Sequence, residues 1–390
     1  MRNWVLPEYI EDILPAEALR IESMRRRILD LLLVYGYQLV APPMLEFVES
    51  LVSGSGSDMN LRMFKVVDQL SGRMMGLRAD MTPQTARIDA HLLNCDGITR
   101  LCYAGSVLHT VPSGLTSTRE PLQIGAELYG HIGIESDLEI QRLMLQILKV
   151  SGIDKVHLDF GHVAIFRGLV RAARIPTNIE SELFSALQAK DIPALQDLCS
   201  GFDKNIRKNV GQALMVLPEL YGDKDILIQA RKLLPDYPEI RKALDELEVV
   251  STELKPVVDS LAFDLADLRG YHYHSGIVFS AYTNSSPNAI ALGGRYDEIG
   301  KVFGRGRPAT GFSIDLRDLS RIKQPPDPYP KGILAPYKKN DKALEKKIKQ
   351  LRKNGKIVVV KLPRHGIKKD TYNCDKKLLL KNKTWRIVDI

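Results

Sequence analysis

The stretch Tyr103–Gly130, YAGSVLHTVPSGLTSTREPLQIGAELYG, predicts two strands joined by a long loop. Apolar and small residues fill both flanks, whereas the loop between them holds Gly114, five hydroxyl-bearing residues and a single arginine, Arg119. A hairpin of this kind presents its loop to a partner or ligand. This loop offers little charge with which to bind a highly charged one.

The composition of the chain is that of a globular protein. Its 390 residues are 44% hydrophobic, which supplies at least one large core and is typical of two or three domains. No run of 18 apolar residues occurs, and the N-terminal stretch is acidic and contains prolines where a signal peptide would be basic and then apolar. We therefore expect a cytoplasmic protein with no membrane partner.

The cysteines give no indication of a metal site. Cys95, Cys102, Cys199 and Cys374 are scattered without CxxC spacing, and no pair of histidines stands at metal-ligand spacing beside them. Buried or idle thiols, without a metal or other cofactor, are the expectation.

Charge is distributed unevenly along the chain. Residues 331–390 carry 19 Lys and Arg against 5 Asp and Glu, whereas the first 330 residues carry 36 against 42. A basic tail of this kind binds RNA or another acidic surface, or simply remains solvated. Its few aromatic residues argue against an RNA platform, since such platforms stack bases on aromatic rings.

Helix and strand signals alternate through the first part of the chain. The spacing of apolar residues predicts helices over about 16–35, 82–93 and 135–152, with Thr82 as the N-cap of the second. Strands are predicted around Pro42 and Pro43, in a hairpin at Ser71-Gly72, and in the opening stretch.

The pattern becomes helical over about residues 163–258. Strands then return with the stretches LAFDLADLRGYHYHSGIVFSAYT and NAIALGGRYDEIG and continue to about residue 325. A series of strands that is interrupted by a helical insertion and then continues indicates an α+β fold around an antiparallel sheet flanked by helices. The proline-rich residues 324–330 separate this core, residues 1–325, from a small basic α/β unit at residues 331–390.

Polar residues in three stretches suggest an amino-acid site. LRADMTPQ, EPLQIGAELYG and LRGYHYHSG bring carboxylates suited to an ammonium or imidazolium and an arginine suited to a carboxylate. The candidate pocket consists of Asp80, Thr82, Gln123, Glu127, Arg269 and Tyr273.

Each element of this pocket has a simpler interpretation. Gln123 and Glu127 are four positions apart and so lie on the same face of a strand. They therefore also fit the polar side of a half-exposed strand. The YHYH alternation fits a strand surface, and LGGRYD lacks the spacing of a dinucleotide or P-loop motif.

Taken in order, the stretches resemble histidyl-tRNA synthetase, a class II aminoacyl-tRNA synthetase, over about residues 1–325. YGYQLVAPPMLE is similar to its first motif, at the dimer interface. LRADMT is similar to LRPEGT, QIGAE to QLGCE and LRGYHY to VRGLDY, and GGRYD is shared. The resemblance implies that Asp80, Thr82, Gln123, Glu127, Arg269, Tyr273 and His274 contact histidine, with Asp80 in place of a longer glutamate and His274 in place of a tyrosine.

The departures from the synthetase fall on its nucleotide side. His109 and Pro112 stand where the second motif has arginines, and Asp315 and Asp318 stand where the third motif has a glycine and an arginine. Losing one charge donor aimed at a transition state costs about 2.7 to 4 kcal/mol, so we expect adenylation to be lost. The basic tail is also too short for the usual anticodon-binding domain.

This combination is similar to the synthetase-like regulatory subunits of ATP phosphoribosyltransferase, the glycosyltransferase that begins histidine biosynthesis. The resemblance implies a non-catalytic subunit that activates a short-form catalytic subunit and mediates feedback inhibition by L-histidine. It also implies a homodimer within a hetero-octamer and makes nucleic acid an unlikely partner. The alternative is a divergent, ATP-dependent histidine-activating enzyme of the synthetase type.

Overall fold

The computed structural model describes residues 4–52, 60–112, 114, 117–322, 330–363 and 373–390. The chain divides into two compact units, the first of Met1–Asp12 and Ile21–Lys323 and the second of Ile13–Arg20 and Gln324–Ile390. Most of the proposed linker at 324–330 lies outside the described residues.

One large sheet organises the first unit. Among the described residues it has nine strands in the order β1-β5-β6-β12-β11-β10-β7-β9-β8. Neighbouring strands from β5 to β7 are antiparallel, whereas β1 runs parallel to β5 and β9 runs parallel to β7. The strands are β1 Gln38–Leu39, β5 Thr99–Ser106, β6 Leu122–Tyr129, β7 His157–His162, β8 Tyr221–Gly222, β9 Ser260–Asp264, β10 Ile277–Thr283, β11 Ser286–Arg295 and β12 Ala309–Asp315.

The predicted hairpins are present. Strands β5 and β6 pair from Thr99 with Tyr129 to Ser106 with Leu122, which confirms the two strands of the opening stretch. A smaller sheet has the order β2-β4-β3, and its β3–β4 hairpin turns at Gly72, which has φ of 70°. Its strands are β2 Leu45–Phe47, β3 Lys65–Val67 and β4 Met74–Leu77.

Helices cover the large sheet and fill most of residues 163–258. The helix Ile134–Val150 buries Leu143, Ile147 and other apolar residues, as its helical spacing predicts. The α-helices are Pro15–Val34, Val48–Val52, Thr82–Arg87, Ile134–Val150, Val163–Ala172, Thr177–Gln188, Ile192–Ser200, Lys204–Ile206, Gln212–Val216, Asp225–Leu233, Pro238–Leu254, Leu316–Ile322 and Lys342–Lys353. Shorter π or 3-10 segments are Ile88–Leu93, Arg207–Gly211, Leu217–Glu219, Lys255–Val257 and Ile299–Phe303.

The prediction that LRGYHYHSG continues a strand was wrong. Strand β9 ends at Asp264 and β10 begins at Ile277, so residues 265–276 form turns. The backbone N–H groups of Tyr273 and His274 both donate to the carbonyl of Gly270, which has φ of 63°. Glycine adopts this left-handed backbone without strain, and the chain therefore reverses here.

In the parts of the second unit that the structure describes, a four-stranded sheet has the order β14-β13-β15-β16. Strand β13 runs parallel to both neighbours, and helix Lys342–Lys353 supplies Leu344, Ile348 and Leu351 to its core. The strands are β13 Gly332–Ala335, β14 Val358–Val360, β15 Cys374–Lys381 and β16 Thr384–Asp389. The α+β fold class with a small α/β unit is confirmed.

Of the helices in the described part of the chain, none has the length and apolarity required to cross a membrane.

Candidate amino-acid binding site

Glu127 lies at the centre of the candidate site, on the middle of β6. Gln123, Gly125 and Glu127 share one face of this strand because side chains two positions apart point the same way. Only 1% of the Glu127 surface is exposed. A carboxylate so completely removed from water must find its hydrogen-bond donors within the protein.

Tyrosine hydroxyls supply these donors. Tyr103 donates to Glu127 Oε1 over 2.9 Å, and Tyr296 donates to Glu127 Oε2. The Tyr296 hydroxyl also lies 3.4 Å from that of Tyr129. Burial raises the pKa of Glu127 to about 8, against the opposing effect of the hydroxyl donors. The site thus holds a carboxyl group whose pKa lies well above the ordinary range of a glutamate.

Two glycines make room for this cluster. A Cβ at Gly311, opposite Glu127 on β12, would lie 1.5 Å from Glu127 Oε2. A Cβ at Gly125 would lie 2.4 Å from the Tyr103 hydroxyl. Larger residues at either position would expel the carboxylate or its donor, which explains the glycines of QIGAE and GFSIDL in physical terms.

Asp80, Thr82 and Gln123 form a second polar group beside the first. Gln123 Nε2 donates to Asp80 Oδ1 over 2.8 Å, and the Thr82 N–H donates to the same oxygen over 3.1 Å. Thr82 Oγ1 lies 3.1 Å from the Tyr103 hydroxyl and so joins this group to the Glu127 cluster. The structure thus brings together four of the predicted site residues.

The prediction that Thr82 is an N-cap was wrong. Thr82 is the first residue of its helix, and Met81 precedes it as the cap position without a side-chain hydrogen bond. The carboxylate of Asp80 instead accepts the Thr82 N–H. The Thr82 hydroxyl consequently remains on the pocket side.

Tyr273 closes the pocket from the turn after β9. Its ring lies 5.0 Å from that of Tyr296, centroid to centroid. Its hydroxyl is buried and has no hydrogen-bond partner among the described residues, although Thr82 lies beside it outside hydrogen-bonding geometry. A buried hydroxyl without a partner is costly, so this atom points to a ligand or a water molecule.

His274 packs edge-on against Tyr273, with ring centroids 5.1 Å apart. Its Nδ1 lies 3.3 Å from the carbonyl oxygen of Arg295. Desolvation lowers the pKa of His274 to about 4, so the imidazole is neutral at physiological pH. It lines the site without a hydrogen bond to Glu127.

Arg269 is a predicted site residue whose side chain is held by groups outside the predicted pocket. Its guanidinium forms a paired contact with Asp267, at 2.6 to 3.0 Å, and donates to the Tyr282 hydroxyl over 3.1 Å. Within the described residues it donates to no carboxylate of the pocket. Asp267 thus neutralises the arginine that the sequence assigns to a ligand carboxylate.

Sequence reasoning missed Tyr103 and Tyr296, the tyrosines that donate to Glu127, and it gave no role to Arg295 of GGRYD. Arg295 is buried and binds Asp137 Oδ2 at 2.6 Å, together with Ser136 and the carbonyls of His131 and Gly133. It therefore holds the helix Ile134–Val150 to the sheet. Tyr296, the next residue, is the member of this motif that enters the pocket.

The positions that differ from the synthetase also have structural roles. His109 is buried, and its Nε2 lies 2.9 Å from the carbonyl oxygen of Ala79. Asp315 Oδ1 accepts hydrogen bonds from the N–H groups of Leu122 and Arg317. Desolvation, with a smaller contribution from the nearby charge of Asp318, raises the pKa of Asp315 to about 7. None of these groups offers a positive charge to a nucleotide phosphate.

Comparison with known proteins places these features in a family. The histidyl-tRNA synthetase family model matches residues 9–319, and that of the ATP phosphoribosyltransferase subunit HisZ C-terminal domain matches residues 330–388. The ATP phosphoribosyltransferase regulatory subunit of Nitrosospira multiformis is 68% identical over 389 residues, covering 100% of this chain and 99% of that protein. The chain belongs to the family of ATP phosphoribosyltransferase regulatory subunits.

Other relatives agree with this membership. The regulatory subunit of Nitrosomonas eutropha is 63% identical and covers 100% of both chains. The crystal structure of a Bacillus halodurans protein, described as an ATP phosphoribosyltransferase regulatory subunit/histidyl-tRNA synthetase, matches with a TM-score of 0.80 at 25% identity, over 94% of this chain and 95% of that one. Histidyl-tRNA synthetase from Nostoc shares the fold, with a TM-score of 0.76 at 19% identity, over 97% of this chain and 91% of that one.

Membership in the regulatory subunit family supports a non-catalytic role beside the catalytic ATP phosphoribosyltransferase, in histidine biosynthesis. The class II synthetase-like fold inferred from the sequence is confirmed.

Proposed function

We propose that this regulatory subunit binds L-histidine in the pocket around Glu127 and performs no chemistry of its own. It activates the short-form catalytic subunit and transmits feedback inhibition by histidine. The observation that carries this proposal is the sealed carboxylate of Glu127 beside the unpartnered hydroxyl of Tyr273. Together they form a polar end to the pocket that an imidazole N–H and ring nitrogen satisfy.

The other groups suit the amino-acid end of the ligand. Asp80, Gln123 and Thr82 form a group with one carboxylate, which favours an ammonium. Arg269 binds the ligand carboxylate after leaving Asp267, and His274 lines the imidazole end as a neutral ring. Histidine binding therefore includes a rearrangement of Arg269, which links the pocket to the turn at residues 265–276.

The residues at the positions where the synthetase binds its nucleotide support the proposal that this chain catalyses no reaction. Three residues of this chain stand where the synthetase has arginines: His109, Pro112 and Asp318. His109 is buried and binds a backbone carbonyl. We infer that the subunit senses an amino acid that it no longer activates. In the assembly that we propose, a homodimer of this chain joins the catalytic subunit in a hetero-octamer.

We further propose two domains with separate roles, residues 1–325 with the insertion at about 163–258, and residues 331–390. The first carries the histidine pocket. The second replaces the anticodon-binding domain that a synthetase would need.

The test is the condensation of ATP with phosphoribosyl pyrophosphate by the short-form catalytic subunit, measured with and without this chain and across a histidine titration. We expect the chain to raise the rate and histidine to suppress it. If the two chains neither associate nor affect the rate, the regulatory proposal is wrong. Histidine-dependent exchange of pyrophosphate into ATP by this chain alone would instead establish an amino-acid-activating enzyme.

A further inference from the structure

Residues Glu8–Glu11, here called the N-terminal strap, lie against the loop between β5 and β6. The carbonyl oxygen of Tyr9 accepts the Arg119 N–H over 2.9 Å and the Thr118 hydroxyl over 3.0 Å. The Glu8 carbonyl accepts from Arg119 Nη1 over 3.4 Å. The only arginine of the predicted loop is therefore used to bind the chain's own N-terminal segment.

The other end of the strap is bound by two arginines of the helix Leu316–Ile322. Arg317 is 2% exposed, and its Nη2 donates to both the carbonyl and the side chain of Glu11 at 3.3 Å. Arg321 also donates to the Glu11 carboxylate. These contacts, led by the Arg321 hydrogen bond, lower the pKa of Glu11.

A short series of contacts leads from the strap to the pocket. Arg317 Nη1 donates to the carbonyl of Glu120 over 3.1 Å, and Asp315 accepts the N–H of Leu122 two residues later. The next residue, Gln123, positions Asp80 and also accepts the Met81 N–H over 2.9 Å. The strap, the end of the loop and the first residues of β6 thus form one hydrogen-bonded group.

We propose that the N-terminal strap is a clamp that fixes residues 117–122 and thereby sets the position of Gln123 in the pocket. Release of the strap loosens this segment and weakens histidine binding, which makes the strap a regulatory element. The binding part of this inference rests on the proposed histidine site. The clamp itself does not.

The test compares the full-length wild type with Glu11→Gln, Arg321→Gln and the double variant. Amide hydrogen exchange of residues 117–122 reports the clamp, and calorimetric titration with histidine reports the pocket. We expect exchange to accelerate by about 2- to 5-fold in either single variant, because a partly exposed ion pair contributes up to about 1 kcal/mol. The histidine dissociation constant rises by up to about 5-fold for the same reason. The matched control is Glu182→Gln, an exposed carboxylate on the helix Thr177–Gln188.

Non-additive effects in the double variant support the clamp, because both changes remove the same ion pair. Unchanged exchange in both single variants overturns the clamp. Faster exchange with an unchanged dissociation constant overturns its regulatory role. If the wild type binds no histidine while exchange still accelerates in the variants, the proposed histidine site is wrong and the clamp on the loop stands.

Discussion

Glu127 determines the chemistry of the pocket because it is the carboxylate on which the tyrosine hydroxyls converge. Glu127→Gln keeps the shape of the side chain and removes the negative charge that it carries in its ionised form. We expect the histidine dissociation constant to rise by about 10- to 150-fold, which is the equivalent of a charged hydrogen bond of about 1.5 to 3 kcal/mol. In the transferase assay, feedback inhibition should shift to higher histidine while activation is kept. Equal loss of inhibition and activation would contradict a separate sensing site.

The same residue predicts a pH dependence of stability. The pKa of Glu127 is raised from 4.5 to about 8, so between these values the folded chain binds more protons than the unfolded chain. Stability therefore falls as the pH rises through this range, by on the order of 5 kcal/mol for this group. Urea unfolding at pH 5 and pH 8.5 should show this loss in the wild type and a smaller loss in Glu127→Gln. Parallel losses in the two proteins would contradict the raised pKa.

At the scale of residues, the sequence predicts one side of the pocket better than the other. Gln123 and Glu127 follow from the period of a single strand, and Asp80 and Thr82 follow from one strand-to-helix junction. Tyr103 depends on the register that places it opposite Gly125 on another strand, and no local pattern reveals that register. Arg269 was predicted from its residue type and from the match of LRGYHY to the synthetase, and its pairing with Asp267 is apparent only in three dimensions.

At the scale of elements, Arg295 joins β11 to the helix Ile134–Val150. Its guanidinium and the Asp137 carboxylate are both almost fully buried. We expect Arg295→Ala to lower the free energy of unfolding by about 3 to 5 kcal/mol, since it leaves a buried carboxylate without its partner. Urea denaturation measures this change. Arg142→Ala, which breaks an exposed ion pair with Glu253, is the control and should cost at most about 1 kcal/mol.

Elements with a single clear period are those that the sequence predicts. The helix Ile134–Val150 and the β5–β6 hairpin follow from apolar spacing and from the polar loop between the strands. The YHYH stretch has the aromatic content of a strand, but Gly270 adopts a left-handed backbone and reverses the chain. Strand β15 was not predicted, because Lys376 and Lys377 interrupt its apolar pattern.

At the scale of the whole molecule, regulation requires histidine to bind the active and inhibited assemblies with different affinity. Such coupling is typically about 1 to 3 kcal/mol and is reciprocal. Saturating phosphoribosyl pyrophosphate should therefore change the histidine dissociation constant of the complex by the same factor, about 5- to 150-fold, by which histidine changes the affinity for that substrate. Calorimetric titrations of the complex in both orders measure the two factors.

The Glu127→Gln complex is the control for this reciprocity, because it keeps the substrate site and weakens the effector site. In that complex, histidine at wild-type saturating concentrations should leave the substrate affinity nearly unchanged. Suppose that histidine inhibits the wild-type complex although neither ligand changes the binding of the other. That result would mean that histidine affects only the rate of catalysis. The regulatory subunit would then act on the chemical step of its partner rather than on a shared equilibrium between two arrangements.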